Sequence, residues 1–333
     1  MSGMQSSTVT INNQKPILAL IIPCYNEQEV LPETANRLLL KLQNLINDNI
    51  ISPNSKIVFV DDGSGDNTWS IINDQFINNP QNFDGIKLSG NRGHQNALLC
   101  GLMSMIKFAD VTISMDADLQ DDINAIDQMM VKYNQGCEIV YAVRSSRKRD
   151  SFFKKTSAQM FYRFMHFLGV KIIYNHADFR LMGKNALLSL TQYGEVNLFL
   201  RGIVPQLGFK TDIVYYERKE RFAGKSKYPL QKMLKFALEG ITSFSISPIR
   251  LITLLGTVIF LISLIMIIYF ITQHIRGDTA AGWASIICSI WGIGGLILLS
   301  LGVMGEYIGK IYLETKKRPR YIVEKILSEE TLK

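Results

Sequence analysis

Four carboxylates lie within seven consecutive residues, at Asp116, Asp118, Asp121 and Asp122. They follow residues 111–115, an apolar run with the length of a buried strand. In open parallel α/β sheets, ligands bind beyond the carboxyl ends of the strands, so these acids would face a binding crevice. Asp116 and Asp118 are alternate residues, which point to the same side of an extended chain and could share one hard cation such as Mg²⁺ or Mn²⁺.

The acidic residues alone leave a second interpretation open. Two aspartates separated by one residue are common by chance, and such a short motif is weak support for a metal site. Asp121 and Asp122 also suit the start of a helix, because negative charge there meets the positive end of the helix dipole. The surrounding sequence therefore has to decide between a metal site and a helix start.

Strands and helices alternate along the first half of the chain. Strands are predicted at 18–22, 57–60, 86–88, 111–115 and 139–143, with helices near 38–46, 66–76, 94–108 and 123–133. This order predicts an α/β fold with a mainly parallel sheet. Three strand ends carry polar turns, namely Asn26 with Glu27, Asp61 with Asp62, and Asp116 with Asp118. Because these turns would share one edge, they predict a site for a polar ligand such as a nucleotide with a metal.

Cations and a hydroxyl group gather in the second half of the chain. The set comprises Arg201, Arg221, Lys225, Ser226 and Lys227. The last four lie in a glycine-containing stretch, a type of loop that binds phosphate well. The net charge of +7 likewise favours an anionic partner. The membrane segments described below favour an acidic membrane face or a phosphorylated substrate over nucleic acid as that partner.

The long apolar runs lie almost entirely after Ser247. Residues 249–271 and 283–304 are each long enough to cross a hydrocarbon core of about 30 Å. Residues 231–244 are amphipathic and are predicted to lie along the bilayer surface. Lysines and arginines after Met304 place the tail on the cytoplasmic side, and two spans return it to the side of the α/β domain.

The predicted organisation follows from these segments. A polar stretch, 1–15, shows no signal-peptide pattern and precedes a cytosolic α/β domain, 16–228. A juxtamembrane amphipathic helix follows at 229–247, then two transmembrane helices within 248–304 and a basic cytosolic tail, 305–333. The four cysteines are scattered, which predicts neither a zinc site nor a disulfide framework.

This organisation favours chemistry on a lipid-linked phosphate. A membrane-anchored domain with a nucleotide and metal site acts most naturally on an acceptor held at the bilayer. Transfer of a sugar from a nucleotide diphosphate requires positive charge on the departing diphosphate, which a cation on Asp116 and Asp118 would supply. Arg201, Arg221, Lys225 and Lys227 would then surround the acceptor phosphate.

Six motifs in order resemble those of glycosyltransferase family 2. They are residues 23–27, 61–64, 91–93, 116–120, 178–180 and 221–228. More narrowly, the chain resembles the polyprenyl-phosphate glycosyltransferases of that family, which are related to dolichyl-phosphate mannose synthase and the prophage bactoprenol glucosyltransferases. The resemblance extends from about residue 16 to the tail and includes both apolar runs.

The resemblance implies a type A glycosyltransferase fold, which is Rossmann-like, at the bacterial cytoplasmic membrane with its catalytic domain in the cytosol. It implies inverting transfer from a nucleotide-diphosphate sugar to undecaprenyl phosphate. UDP-glucose is the first choice of donor, with N-acetylglucosamine, galactose and mannose as alternative sugars. The sequence leaves open a processive polysaccharide synthase, for which two spans are too few to build a pore, and a noncatalytic membrane scaffold. Homo-oligomerisation is also open, because glycines in the second span permit close helix packing.

The resemblance also assigns residues to roles. The nucleotide would be bound by Pro23, Tyr25, Asn26, Glu27, Asp62, Asn91, Asp116 and Ala117. A Mg²⁺ or Mn²⁺ ion would be held by Asp116, Asp118 and Gln120, and the catalytic residues would be Asp118, Asp178 and Arg201. The phosphates would be bound by Arg180, Arg201, Arg221, Lys225, Ser226 and Lys227.

The role of Asp178 stays open between two alternatives. The family suggests an active-site base, but a phosphate monoester has a second pKa near 6 and is therefore largely dianionic and nucleophilic at pH 7. Asp178 could instead orient Arg180 or the sugar hydroxyls, or form an ordinary salt bridge with a neighbouring arginine.

Overall fold

The computed structural model describes residues 15–145, 176–195, 199–217 and 283–329, together with separate positions between 249 and 272. The strands are β1 (Leu18–Cys24), β2 (Lys56–Asp61), β3 (Phe83–Leu88), β4 (Val111–Ser114), β5 (Ile139–Arg144), β6 (His176–Gly183), β7 (Thr211–Tyr216) and β8 (Val323–Leu327). The helices are α1 (Leu31–Asn47), α2 (Thr68–Asn78), α3 (His94–Met105), α4 (Ala125–Asn134), α5 (Lys184–Leu190), α6 (Leu200–Ile203) and α7 (Trp283–Lys316).

The eight strands form one sheet in the order β7-β5-β6-β4-β1-β2-β3-β8. Strands β1 to β4 pair in parallel with one another, and β5 pairs in parallel with β7. Strand β6 runs antiparallel between β4 and β5, and β8 runs antiparallel to β3. The predicted α/β fold with a mainly parallel sheet is confirmed.

Helices cover both faces of this sheet. Helices α1, α2 and α4 contribute to one hydrophobic cluster, and α3, α5 and α6 contribute to the other. Both faces of β1 and β2 are therefore buried, which explains why these strands read as apolar runs rather than alternating patterns. Helix α1 shows the local cause, since Pro32 suits its first turn and Leu31, Leu38 and Leu45 form part of its buried face.

Two strands are absent from the prediction made from the sequence. Strand β6 reads HADFRLMG, in which Asp178 and Arg180 interrupt the apolar residues. Strand β8 has five residues and includes Glu324 and Lys325, so it lacks an apolar run altogether. Both strands owe their conformation to pairing with a neighbouring strand, a tertiary effect that local patterns do not record.

One described helix, within α7, is long and apolar enough to cross a membrane, from Ile293 to Lys316. Helix α7 continues twelve residues beyond Met304, where the second apolar run was expected to end. The described positions between 249 and 272 are helical, but they do not give a second complete span. The predicted juxtamembrane helix lies outside the described residues, as do the predicted phosphate ligands Arg221, Lys225, Ser226 and Lys227.

Candidate functional site

The polar turns meet at one edge of the sheet, as expected. Strand β1 lies between β2 and β4, so the chain reverses its direction of travel across the sheet at this point. Such a switch point opens a crevice at the carboxyl ends of the strands, where ligands bind in open α/β sheets. Because β6 is antiparallel, its amino end also lies at this edge and brings Asp178 there.

Two neighbouring loops at this edge are joined by hydrogen bonds. The side-chain oxygen of Asn26 accepts a hydrogen bond of 2.9 Å from the backbone N–H of Gly65. The backbone N–H groups of Asn26 and Glu27 donate to the hydroxyls of Ser64 and Thr68, both at 2.9 Å. Asn26 has a φ of 52°, a left-handed conformation that asparagine tolerates. The structure therefore fixes Asn26 as a loop-forming residue, beside Pro23, which is buried at the end of β1, and Tyr25, which is 41% exposed.

Asp62 holds the loop that follows β3. Its carboxylate accepts hydrogen bonds from the backbone N–H groups of Arg92, at 2.7 Å, and Gly93, at 2.9 Å. Burial raises the pKa of Asp62, although these two hydrogen bonds act in the opposite direction. Asp62 thus shapes the loop that carries Asn91, whose exposed side chain lies at the same edge.

A close approach at Gly63 yields a stability prediction. Gly63 has a φ of 68°, and a Cβ atom added there would lie 2.6 Å from the backbone of Gly90. We expect Gly63→Ala to lower the free energy of unfolding by about 2 kcal/mol or more, because the left-handed conformation alone costs about 1–2 kcal/mol. Thermal or chemical unfolding of the purified protein measures this loss. Gly65→Ala is the matched control, since a Cβ there meets nothing within 4 Å; equal stability of the two variants would contradict the prediction.

The acidic loop after β4 is sharply bent. Leu119 has a φ of 56°, which is unusual for a bulky residue. The carboxylate of Asp118, 9% exposed, accepts a hydrogen bond of 3.2 Å from the backbone N–H of Gln120. The carbonyl oxygen of Ala117 accepts a 2.7 Å hydrogen bond from the hydroxyl of Thr34 on α1. Loop strain of this kind is concentrated at ligand-binding sites in proteins.

Asp178 lies at the centre of a group of cations. Arg201 contacts both of its carboxylate oxygens, with Nη2–Oδ2 at 3.0 Å and Nε–Oδ1 at 3.2 Å. Arg180 Nη2 lies 3.0 Å from Oδ1, and its side chain is 1% exposed. Burial by itself would raise the pKa of Asp178, but Arg201, His94 and Arg180 outweigh it and hold the pKa well below its usual range. Asp178 is therefore a carboxylate at neutral pH.

His94 is a site residue that the sequence prediction missed. It begins α3, and its Nε2 lies 3.5 Å from Asp178 Oδ2 and 3.6 Å from Asp116 Oδ1. The two carboxylates raise the pKa of His94 to about 8, although burial acts against them. The sequence feature that could have identified His94 is its position directly after the polar residues that follow β3. The imidazole joins the acidic loop of β4 to Asp178 of β6.

Negative charge accumulates around Asp116 and Asp118. Loss of surrounding water raises the pKa of Asp116, and the charges of Asp178 and Asp118 add to this rise, while His94 acts against it. Burial and the charge of Asp116 raise the pKa of Asp121 to about 6. Crowded carboxylates of this kind suit a cation.

The donor set fits a divalent cation only in part. No three His, Cys, Asp or Glu side chains in the described part of the chain lie close enough together to hold a metal by themselves. Mg²⁺ is commonly held by one or two carboxylates with substrate phosphates as further ligands. Asp116 and Asp118 fit such a site, with Gln120 beside them.

A second cluster that the sequence prediction missed lies next to the acidic loop. Asp121 accepts a hydrogen bond of 2.5 Å from the hydroxyl of Tyr216, at the end of β7. Arg144, at the end of β5, donates to the same hydroxyl at 3.1 Å and lies 3.7 Å from Asp121. Asp121 is thus engaged by the ends of two strands rather than beginning α4, which starts at Ala125.

Arg180 is the predicted site residue whose observed environment differs most from the prediction. It was expected among the phosphate ligands, but the structure buries it behind Asp178, where Nη1 also lies 3.4 Å from the carbonyl oxygen of Leu200. Arg201, at the start of α6, is 32% exposed. Of the predicted phosphate-binding arginines that the structure describes, Arg201 is therefore the accessible one.

The family model described as glycosyl transferase family 2 matches residues 19–190, more than half of the chain. The Bacillus subtilis (strain 168) glycosyltransferase YkoT is 54% identical over 97% of this chain and 95% of its own length. A prophage bactoprenol glucosyl transferase homolog of Escherichia coli (strain K12) is 37% identical, over 93% of this chain and 99% of its own length. The bactoprenol glucosyl transferase of Shigella phage SfX is 38% identical, over 92% and 98%.

Among solved structures, mannosyl-3-phosphoglycerate synthase from Rubrobacter xylanophilus is similar with a TM-score of 0.45 and 13% identity, over 67% of this chain and 71% of that one. The family match spans the strands and loops that carry Asp62, Asp116, Asp118 and Asp178. Since the family model matches more than half of the chain and a relative of 54% identity aligns over 97% of it, the chain belongs to glycosyltransferase family 2.

Proposed function

We propose that this protein transfers a hexose, with inversion, from a nucleotide-diphosphate sugar to undecaprenyl phosphate at the cytosolic face of a bacterial membrane. UDP-glucose is the proposed donor. One observation carries the proposal: similarity to proteins named bactoprenol glucosyl transferases extends over 93% of this chain. A stretch of that length includes β2 to β7 and most of α7, so the similarity is not limited to the catalytic sheet.

The proposed reaction is a single displacement. An oxygen of the acceptor phosphate attacks the anomeric carbon of the sugar and forms a new carbon–oxygen bond. The bond between that carbon and the diphosphate oxygen breaks, and the nucleoside diphosphate leaves with the electron pair. A phosphate monoester is largely dianionic at pH 7, so no proton has to be removed from it. Attack opposite the leaving group inverts the anomeric configuration.

The contacts of Asp178 support an orienting role rather than that of a base. Its carboxylate is already bound by Arg201 and Arg180 and lies near His94. A carboxylate paired in this way is a poor proton acceptor, because its pKa is held low. The bidentate contact instead fixes the plane of the Arg201 guanidinium, which we propose faces a phosphate. Arg180 contacts Asp178 from the buried side of the site and so acts as a positioning residue.

Asp116, Asp118 and Gln120 are the residues that we propose hold Mg²⁺ or Mn²⁺. When bound, the cation would supply positive charge to the departing diphosphate. The neighbouring residues Pro23, Tyr25, Glu27, Asp62 and Asn91 lie at the same edge, which supports their proposed place around the nucleotide. Among these, Asp62 acts through the loop that it holds.

The pairing of β8 with β3 supports the proposed membrane topology. It places β8, which follows α7, beside β3, which precedes α7, in one sheet. The catalytic site and the tail therefore lie on the same side of the membrane. If α7 crosses the bilayer, an odd number of further crossings must lie between Glu217 and Trp283. The predicted span at 249–271 supplies one. We therefore propose two crossings with both the site and the tail in the cytosol.

Cysteine labelling tests this topology. Asp278→Cys lies in the predicted outer loop, and we expect a membrane-impermeant maleimide to label it in spheroplasts with intact membranes. Lys325→Cys, on the exposed side of β8, should react only after the membrane is opened. The reverse labelling pattern, or labelling of both sites before lysis, would contradict two crossings. The parent protein, in which Cys24, Cys100 and Cys137 are buried, gives the background signal.

The function is tested by offering the purified protein a panel of nucleotide sugars with undecaprenyl phosphate and Mg²⁺ or Mn²⁺. We expect a lipid product with the mass of undecaprenyl phosphate plus one hexose, formed fastest from UDP-glucose. Formation of a β-linked sugar phosphodiester of the lipid from an α-linked donor, read by NMR, would establish inversion. Hydrolysis of the donor without any lipid product would contradict the proposed acceptor.

A further inference from the structure

The tail after α7 is bound to the edge of the catalytic sheet. Strand β8 pairs with β3 from Gly85 to Leu88. The carbonyl oxygen of Ile322 accepts a 3.0 Å hydrogen bond from the backbone N–H of Ser89, the first residue after β3. Lys87 Nζ lies 2.8 Å from Glu324, which adds an ion pair to the backbone ladder. The start of β8 therefore lies beside the loop that carries Asn91 and leads to His94.

Arg320 binds a second loop of the site. Its Nη2 donates a 2.6 Å hydrogen bond to the carbonyl oxygen of Tyr193, which follows α5. The chain continues from there to α6 and Arg201. Gln95 on α3 holds the start of α6, because its side-chain oxygen accepts a 2.8 Å hydrogen bond from the backbone N–H of Leu200.

Two carboxylates act electrostatically on Arg320. Glu314, in the last turn of α7, and Glu195, near Tyr193, both act to raise the pKa of Arg320 against the effect of its burial. Burial and the charge of Glu314 raise the pKa of Glu195, and Arg320 opposes this rise. Without the guanidinium, the end of the membrane helix and the segment leading to α6 would repel each other. Tyr321, the next residue, packs against the hydrophobic cluster that includes α3.

We propose that the segment from Arg320 to Leu327 is a positioning element of the active site, with Arg320 as its principal positioning residue. It connects the end of α7 to the loop before His94 and to Tyr193, which precedes α6 and Arg201 in the chain. Binding of the tail to the sheet thus fixes the position of the Arg201–Asp178 pair relative to the acidic loop. The inference concerns the site of the proposed function and rests on that function for its effect on catalysis.

Hydrogen exchange of the full-length protein tests the placement directly. We expect Arg320→Gln to speed exchange of the amides of Leu200, Gly202 and Ile203 by about tenfold or more, because one lost restraint of about 1.4 kcal/mol corresponds to that factor. Arg318→Gln is the matched control, since Arg318 is an exposed arginine of the same tail. Arg320→Lys retains the charge and a donor, and should restore most of the protection.

Kinetics with the same three variants test the consequence for catalysis. For Arg320→Gln we expect kcat to fall by about tenfold or more and the donor KM to change by less than about threefold, because misplacing a positioned group affects the reacting geometry most. Arg318→Gln should match the parent protein, and Arg320→Lys should recover kcat. Unchanged exchange in Arg320→Gln, or kcat equal to that of Arg318→Gln, would overturn the inference. The exchange experiment needs no substrate, so it tests the position of the tail whether or not the protein transfers sugar. Absence of transfer activity in the parent protein would contradict the proposed function only.

Discussion

Replacing Asp118 with Asn is expected to lower the rate of sugar transfer by about a thousandfold, which corresponds to about 4 kcal/mol of lost transition-state stabilisation. The substitution removes one of the two carboxylates that would hold the cation, while an amide of nearly equal size preserves the packing of this nearly buried side chain. Charge on the departing diphosphate would then be poorly neutralised. Product formation at saturating Mn²⁺ measures the loss, and excess chelator should abolish transfer in the parent protein.

Asp122→Asn is the matched control for Asp118→Asn, because it changes the same residue type in the same loop outside the proposed metal set. We expect it to keep most of the activity. Binding of Mn²⁺ in the presence of the nucleoside diphosphate, followed by electron paramagnetic resonance, should be lost in Asp118→Asn and retained in Asp122→Asn. Full activity of Asp118→Asn, or transfer that persists in excess chelator, would remove the metal from the proposal.

Much of the fold could be predicted because its central strands are buried on both faces. Apolar runs such as those of β1 and β2 identify strands without any knowledge of their partners. Strand β6 could not be found in this way, because Asp178 and Arg180 interrupt its apolar residues. These two charged side chains can be buried because they form an ion pair, which the sequence does not show. Strand β8 was missed because its conformation depends on an edge of β3 more than 230 residues away in the chain.

The candidate site was predictable to the extent that its residues end parallel strands. Asp116 and Asp118 come directly after β4, and their common edge with Asn26 and Asp62 follows from strand direction alone. His94 and Arg144 were missed because their importance appears only when neighbouring strands bring Asp178 and Asp121 beside them. The roles of Asp62 and Arg180 were also inaccessible to sequence, because burial and the direction of hydrogen bonds decide them.

The burial of Arg180 leads to the second large expected effect. Asp178→Asn should lower transfer by about a hundredfold or more, because the oriented Arg201 guanidinium loses its bidentate partner. It should also lower the free energy of unfolding by about 3 kcal/mol, because Arg180 would be left buried without a compensating charge. Activity and chemical unfolding of the same preparation measure both losses.

A double variant separates these two losses. Asp178→Asn combined with Arg180→Met removes the uncompensated charge and should regain most of the stability, since buried ion pairs can be replaced by apolar side chains at little cost. Its transfer rate should stay as low as that of Asp178→Asn, because Arg201 still lacks its carboxylate. Recovery of transfer in the double variant would show that Asp178 serves stability alone and would contradict an orienting role.

The pH dependence distinguishes orientation from base catalysis. The pKa of Asp178 is depressed, so its contribution to stability is complete above its unfolded value of about 4 and is lost only as pH falls through the lower folded value. Its ionisation is therefore constant between pH 5 and 8. A fall in kcat/KM near pH 6 should instead follow the second ionisation of the acceptor phosphate. An acceptor analogue with a lower second pKa, such as a difluoromethylphosphonate, should move this fall to lower pH. The shift should equal the difference between the second pKa values of the two acceptors. A fall that stays at one pH with both acceptors would assign it to a group on the protein.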